Sequence, residues 1–127
     1  MSVALELIDA ALAEPGGEYR VLCAELDGRV AGYVCYGPTP MTEGTWDLYW
    51  IATHPDARGC GVARALVAKM EAELRGIGAR RVRVETSRLD GYGAARAFYA
   101  RLEDPVIAVL PDFYKEGDDL LVMLKRL

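Results

Sequence analysis

The sequence predicts an α/β (α+β) fold organised on a sheet of mixed direction, and three observations carry that expectation. Residues 63, 66, 67, 70, 74 and 77 are apolar, which is helical spacing held over about four turns. Two strand-like runs flank Asp27-Gly28, the signature of a two-residue hairpin. Strand, helix and strand then follow one another from Trp46 to Thr86, and such a crossover predicts a parallel pair of strands.

Taken in order, Val3 to Ala13 has apolar residues at 4, 5, 8, 11 and 12. It is predicted to be an amphipathic helix, capped by Ser2 and stopped by Pro15-Gly16-Gly17. Tyr19–Leu26 and Arg29–Tyr36 read as an antiparallel hairpin, and Trp46–Ala52 as the third strand of a meander. Between them, residues 37–44 form a loop rich in Gly, Pro and Thr, a candidate wall for a substrate. The helix at 62–75 closes at Gly76-Ile77-Gly78, and Arg81–Thr86 alternates like a strand. Ala94–Arg101 reads as a short helix, with a closing hairpin of Val106–Leu110 and Leu120–Leu124 around the loop 111–119. Repeats, low-complexity tracts and internal linkers are absent from the sequence, so residues 1–127 are expected to form a single domain.

Composition narrows the function. With 52% hydrophobic and 27% charged residues the chain reads as an ordinary soluble protein. Its 15 Lys and Arg against 19 Asp and Glu argue against a nucleic-acid binder working by phosphate neutralisation. No apolar run approaches the roughly 20 residues of a membrane span. The N-terminus lacks the basic start of a signal peptide. Cys23, Cys35 and Cys60 have no metal-type spacing; a reducing cytoplasm is the expected setting.

The richest stretch runs from Trp46 to Leu74. A strand ends at Ile51-Ala52-Thr53, His54-Pro55-Asp56 breaks it, and Arg58-Gly59-Cys60-Gly61-Val62-Ala63 leads into the long helix. The first turn of a helix carries backbone N–H groups without internal partners, and the helix dipole adds positive charge there. Glycines at 59 and 61 keep side chains away from those amides, and Arg58 adds a permanent charge. The sum is a cradle for a phosphate or pyrophosphate. It is not a P-loop, because no Gly-Lys-Ser/Thr follows, nor does it have the three glycines of the dinucleotide fingerprint.

Arg58, Gly61 and Ala63 fit the pattern Arg/Gln-x-x-Gly-x-Gly/Ala. The junction thereby resembles the acetyl-CoA pyrophosphate loop of the GNAT superfamily of N-acetyltransferases. The likeness continues at Ala95 and Phe98-Tyr99, where family sequences often read Asn-x-x-Ala-x-x-Phe/Leu-Tyr; Tyr92 stands in place of the asparagine. Leu102-Glu103-Asp104-Pro105 replaces the family's Leu-Gly-Phe, and residues 112–119 resemble a tyrosine-bearing loop of a bacterial subgroup. The resemblance implies a GNAT-like mixed sheet from which the family's first strand is missing. A sheet edge left bare in this way points to a homodimer.

The same resemblance implies acetyl-CoA as co-substrate and an amine as acceptor, with no metal and no covalent intermediate. A lysine-like amine has a reference pKa near 10.4, so only about one molecule in 10³ is a neutral nucleophile at pH 7. The departing thiolate in turn needs a proton. Tyr99 corresponds to the residue that protonates the sulfur, and Glu85 to a general base; Asp47 and Tyr49 are rivals for ordering a water near the amine. Ile51, Ala52 and Thr53 would align the pantetheine arm. Arg58, Gly59, Cys60, Gly61, Val62 and Ala63 would hold the diphosphate, and Tyr114 would close over the substrate. Plainer roles stand beside these: Tyr99 as a core-edge aromatic, Glu85 as an ion-paired strand carboxylate, His54 as a loop tie, Cys60 as a small filler. Two other functions stay open, an acyl-CoA-binding module without turnover and a protein N-terminal or lysine acetyltransferase.

Overall fold

In the computed structural model, residues 4–8, 19–87, 98 and 106–127 are described. They belong to two compact units, Met1–Arg80 with Leu127, and Arg81–Arg126.

The first unit is an antiparallel sheet with a helix on it. Strand β1 (Ala4–Ile8) pairs with β2 (Arg20–Leu26), β2 with β3 (Arg29–Pro38), and β3 with β4 (Thr45–Thr53). β2 and β3 turn at Asp27-Gly28 as predicted, and both residues have positive φ, 53° and 78°, the requirement of a type I′ hairpin. β1 corrects the N-terminal expectation. Residues 4–8 are strand, not helix, and the N-terminal strand thought to be missing is present along β2. Ala-Leu-Glu-Leu-Ile satisfies either period over so short a run. The unpaired edge of β2 offers five residues a ladder that an isolated turn of helix cannot match.

After β4, Pro55–Ala57 makes one 3-10 turn and α1 (Val62–Gly76) begins, close to the predicted limits. Val62, Leu66, Val67, Met70 and Leu74 form its buried stripe, each at most 4% exposed. Burying such a side chain stabilises by about 1.5–3 kcal/mol, so the stripe clamps α1 across β2, β3 and β4. Gly32 makes the fit possible. A β-carbon there would lie 2.6 Å from the Ala52 carbonyl oxygen and 3.0 Å from Val62 Cγ1.

The second unit has β5 (Arg81–Ser87), β6 (Val106–Lys115) and β7 (Asp118–Arg126), with β7 antiparallel to both of the others. Here the loop expected at 111–119 is corrected: strand continues to Lys115, and Glu116-Gly117 alone make the turn. Pro111 reads as a breaker, yet it lies where the β6–β7 register shifts, a place where a strand tolerates proline. The helix predicted at 94–101 lies outside the described residues apart from Phe98, which is helical. Among the described residues no helix is long and apolar enough to cross a membrane.

Candidate active site

The cradle is built by three short-range devices. His54 caps the 3-10 turn, its Nδ1 accepting the Asp56 N–H at 3.1 Å, so the histidine ties the loop as its plainer reading expects. The Arg58 and Cys60 N–H groups donate to the Pro55 and Ala57 carbonyls at 3.4 and 3.2 Å, winding the loop tightly. Gly59 and Gly61 then take φ of 80° and 77°, a left-handed conformation that glycine adopts at little cost. Gly61 is the N-cap of α1 and offers no side-chain hydrogen bond to its first turn.

The first amides of α1 therefore have no side-chain cap from the N-cap residue. A β-carbon built at Gly59 or Gly61 meets nothing within 4 Å, so the space before them is clear. Arg58, Gly59, Cys60 and Gly61 are exposed, while Val62 is buried and Ala63 half-buried. Helix dipole, open amides and the Arg58 charge together suit a bound phosphate group. Beside the loop lies a hollow of about 610 Å³, whose walls include Asp27, Arg29, Val30, His54, Asp56 and Cys60. The sequence carried no sign of it, because it joins a hairpin turn to a loop some 25 residues later.

β4 delivers the strand candidates to the same unit. Ile51 and Thr53 are half-buried and Ala52 exposed, directly before the cradle. The register of β3 and β4 shifts between Cys35 and Tyr36, leaving Tyr49 as the extra residue of a bulge. A bulge changes the phase of a strand, and Tyr49 and Trp50 are accordingly both exposed. Tyr49 lies edge-on to Tyr19, with ring centroids 5.0 Å apart, whereas Asp47 is buried. The period-two pattern that suggested the strand could not show the bulge.

The second unit carries Glu85 and Tyr114. Glu85 is exposed on β5 and lies 3.9 Å from the Arg83 guanidinium. A partly exposed pair of this kind contributes little and does not fix the carboxylate. Tyr114 is half exposed on β6, edge-to-face with Phe113 at 5.1 Å. Tyr99 lies outside the described residues.

Comparison with known proteins decides the family. The Acetyltransferase (GNAT) family model matches residues 3–103. The chain belongs to the GNAT family. An uncharacterized N-acetyltransferase of Methanocaldococcus jannaschii is 31% identical over 103 residues, 81% of this chain and 64% of that protein. The chain thus spans a little under two thirds of the length of that relative. The crystal structure of a GNAT-family protein from Desulfovibrio desulfuricans superposes with a TM-score of 0.84 at 44% identity, covering 87% of this chain and 69% of the other. That of yncA from Salmonella typhimurium, solved with its cofactor acetyl-CoA, gives 0.72 at 24% identity over 86% and 65%, a likeness of fold.

Proposed function

We propose that this chain is an N-acetyltransferase that moves the acetyl group of acetyl-CoA to a primary amine, with small molecules favoured, by direct attack. The observation that carries the reading is the uncapped first turn of α1, with clear space in front of Gly59 and Gly61. A coenzyme diphosphate is the anion that family membership brings to such a cradle, and the acetyl-CoA in the Salmonella relative supports the choice.

In this reading the amides of residues 59–63 and the Arg58 guanidinium hold the diphosphate, and Ile51, Ala52 and Thr53 align the pantetheine arm. Backbone donors of β4 polarise the thioester oxygen. Glu85, or a water ordered by Asp47 or Tyr49, takes the proton of the amine, and Tyr99 gives one to the sulfur. Positioning supplies most of the rate, which needs neither metal nor covalent intermediate. Tyr114 contacts the acceptor. Asp112, Glu116, Asp118 and Asp119, close to it in the sequence and set against Lys115, favour a cationic one. A cytoplasmic homodimer, formed by a single domain per chain, completes the proposal.

Calorimetry with acetyl-CoA, followed by thiol release across amines, amino acids and short peptides, tests it. Binding and release with at least one acceptor are expected; indifference to millimolar acetyl-CoA ends the proposal. Tyr99→Phe should lower kcat by roughly 10²-fold or more, and an unchanged rate removes Tyr99 from the chemistry. A second reading, an acyl-CoA-binding module without turnover, is favoured by Tyr92 and by Leu102-Glu103-Asp104-Pro105, which depart from the family pattern. Tight coenzyme binding without release from any acceptor would select it.

A further inference from the structure

A buried carboxylate in the second unit has no part in the chemistry above. Asp118, the first residue of β7, is 6% exposed, and its carboxylate accepts the hydroxyl of Ser87, the last residue of β5 and itself 5% exposed. Burying a carboxylate against a neutral hydroxyl is costly. The β5–β7 ladder already joins Ser87 to Leu120 without it, so the bond adds constraint where strand pairing was in place.

The turn just before Asp118 is braced as well. Asp112 sits at φ 54°, its carboxylate accepts the Gly117 N–H at 2.8 Å, and its own N–H donates to the Asp119 carboxylate at 3.0 Å. Inside that bracket lie Phe113 and Tyr114, 55% and 49% exposed. An exposed aromatic pair on a backbone held at both ends is a contact surface ordered in advance, so a ligand meeting it loses less entropy.

We propose that Ser87 and Asp118 are positioning residues for the acceptor: they lock the Phe113–Tyr114 tip to the end of the strand that carries Glu85. The inference rests on the acetyl-transfer reading and adds to it the residues that set acceptor affinity. Neither side chain is assigned a part in the reaction proposed above. Their removal therefore acts on acceptor KM and leaves coenzyme binding alone.

The test compares wild type, Ser87→Ala, Asp118→Ala and Ser87→Thr, with spermidine and an alanyl tripeptide as acceptors. In the two alanine variants, amide exchange across 112–117 should accelerate. Acceptor KM should rise roughly tenfold, the scale of a lost hydrogen bond to a charged group, with kcat and the acetyl-CoA Kd within about twofold. Ser87→Thr, which keeps the hydroxyl, should restore both readouts. Unaltered exchange and KM in folded Ser87→Ala overturn the proposal, as does a fall in kcat at constant KM. If Asp118→Ala does not fold, Ser87→Ala decides alone, since it deletes one hydroxyl and leaves the carboxylate. A wild type that ignores acetyl-CoA defeats the acetyl-transfer reading, while the exchange data still judge the brace.

Discussion

Of the three thiols, Cys60 is exposed in the cradle loop, while Cys23 and Cys35 are buried and burial pushes the Cys35 thiol up. N-Ethylmaleimide should therefore modify Cys60 first in the native protein, and acetyl-CoA should slow that reaction several-fold if it occupies the cradle. An equal rate with and without the coenzyme places the ligand elsewhere. Tyr36 makes a second residue-scale case. Its ring packs near Trp46, and its buried hydroxyl has no hydrogen-bond partner among the described residues. Burial raises its pKa above the ordinary tyrosine value; the Arg20 charge opposes the rise without reaching hydrogen-bonding geometry, and Glu73 adds to it. An unfolded tyrosine ionises near pH 10 while the folded one keeps its proton. Stability from this group is thus complete below about pH 10 and is lost as pH climbs through the higher folded pKa. Tyr36→Phe should flatten that alkaline loss, seen in urea titrations, and leave stability at pH 7 equal or up to about 1 kcal/mol higher. A clear destabilisation would mean that the hydroxyl has a partner after all.

At the scale of elements, the seat of α1 on β3 and β4 sets where the cradle stands. Gly32→Ala forces a β-carbon against a backbone carbonyl, so strand or helix must move. A loss of about 1–3 kcal/mol is expected from such overpacking, with weaker acetyl-CoA binding, read by thermal unfolding and calorimetry. Gly61→Ala contrasts with it. The added methyl meets no protein atom within 4 Å, but it enters a left-handed position and projects into the open space where the proposed diphosphate would sit. A cost of about 1–2 kcal/mol in folding should accompany a larger loss of coenzyme affinity. The glycine turn and α1 were legible because Arg58-Gly59-Cys60-Gly61 and the apolar stripe of the helix are local patterns. The need for Gly32 was not, since its neighbours Ala52 and Val62 come from later elements. The same distinction explains Ala4–Ile8, where a five-residue stretch with four apolar side chains fits either period and its partner strand decided the outcome.

For the whole molecule, the homodimer was inferred from a sheet edge thought to be bare, and β1 now runs along β2. The proposal stands or falls on mass: sedimentation equilibrium should find a species near twice 13.9 kDa, and a monomer at every concentration removes the dimer. The amino-acid sequence by itself determined the family, the β2–β3 hairpin, α1 and the glycine-bearing turn that leads into it. Those features depend on turn chemistry, periodicity and a short motif, which act between near neighbours in the chain. Tertiary structure alone decided that the N-terminus joins the sheet, that a bulge exposes Tyr49 beside Trp50, and that β6 runs on through Pro111. It also brought Ser87 to Asp118, 31 residues away. Each depends on which strands lie side by side and in what register, and a one-residue shift in pairing reverses the side to which every side chain points.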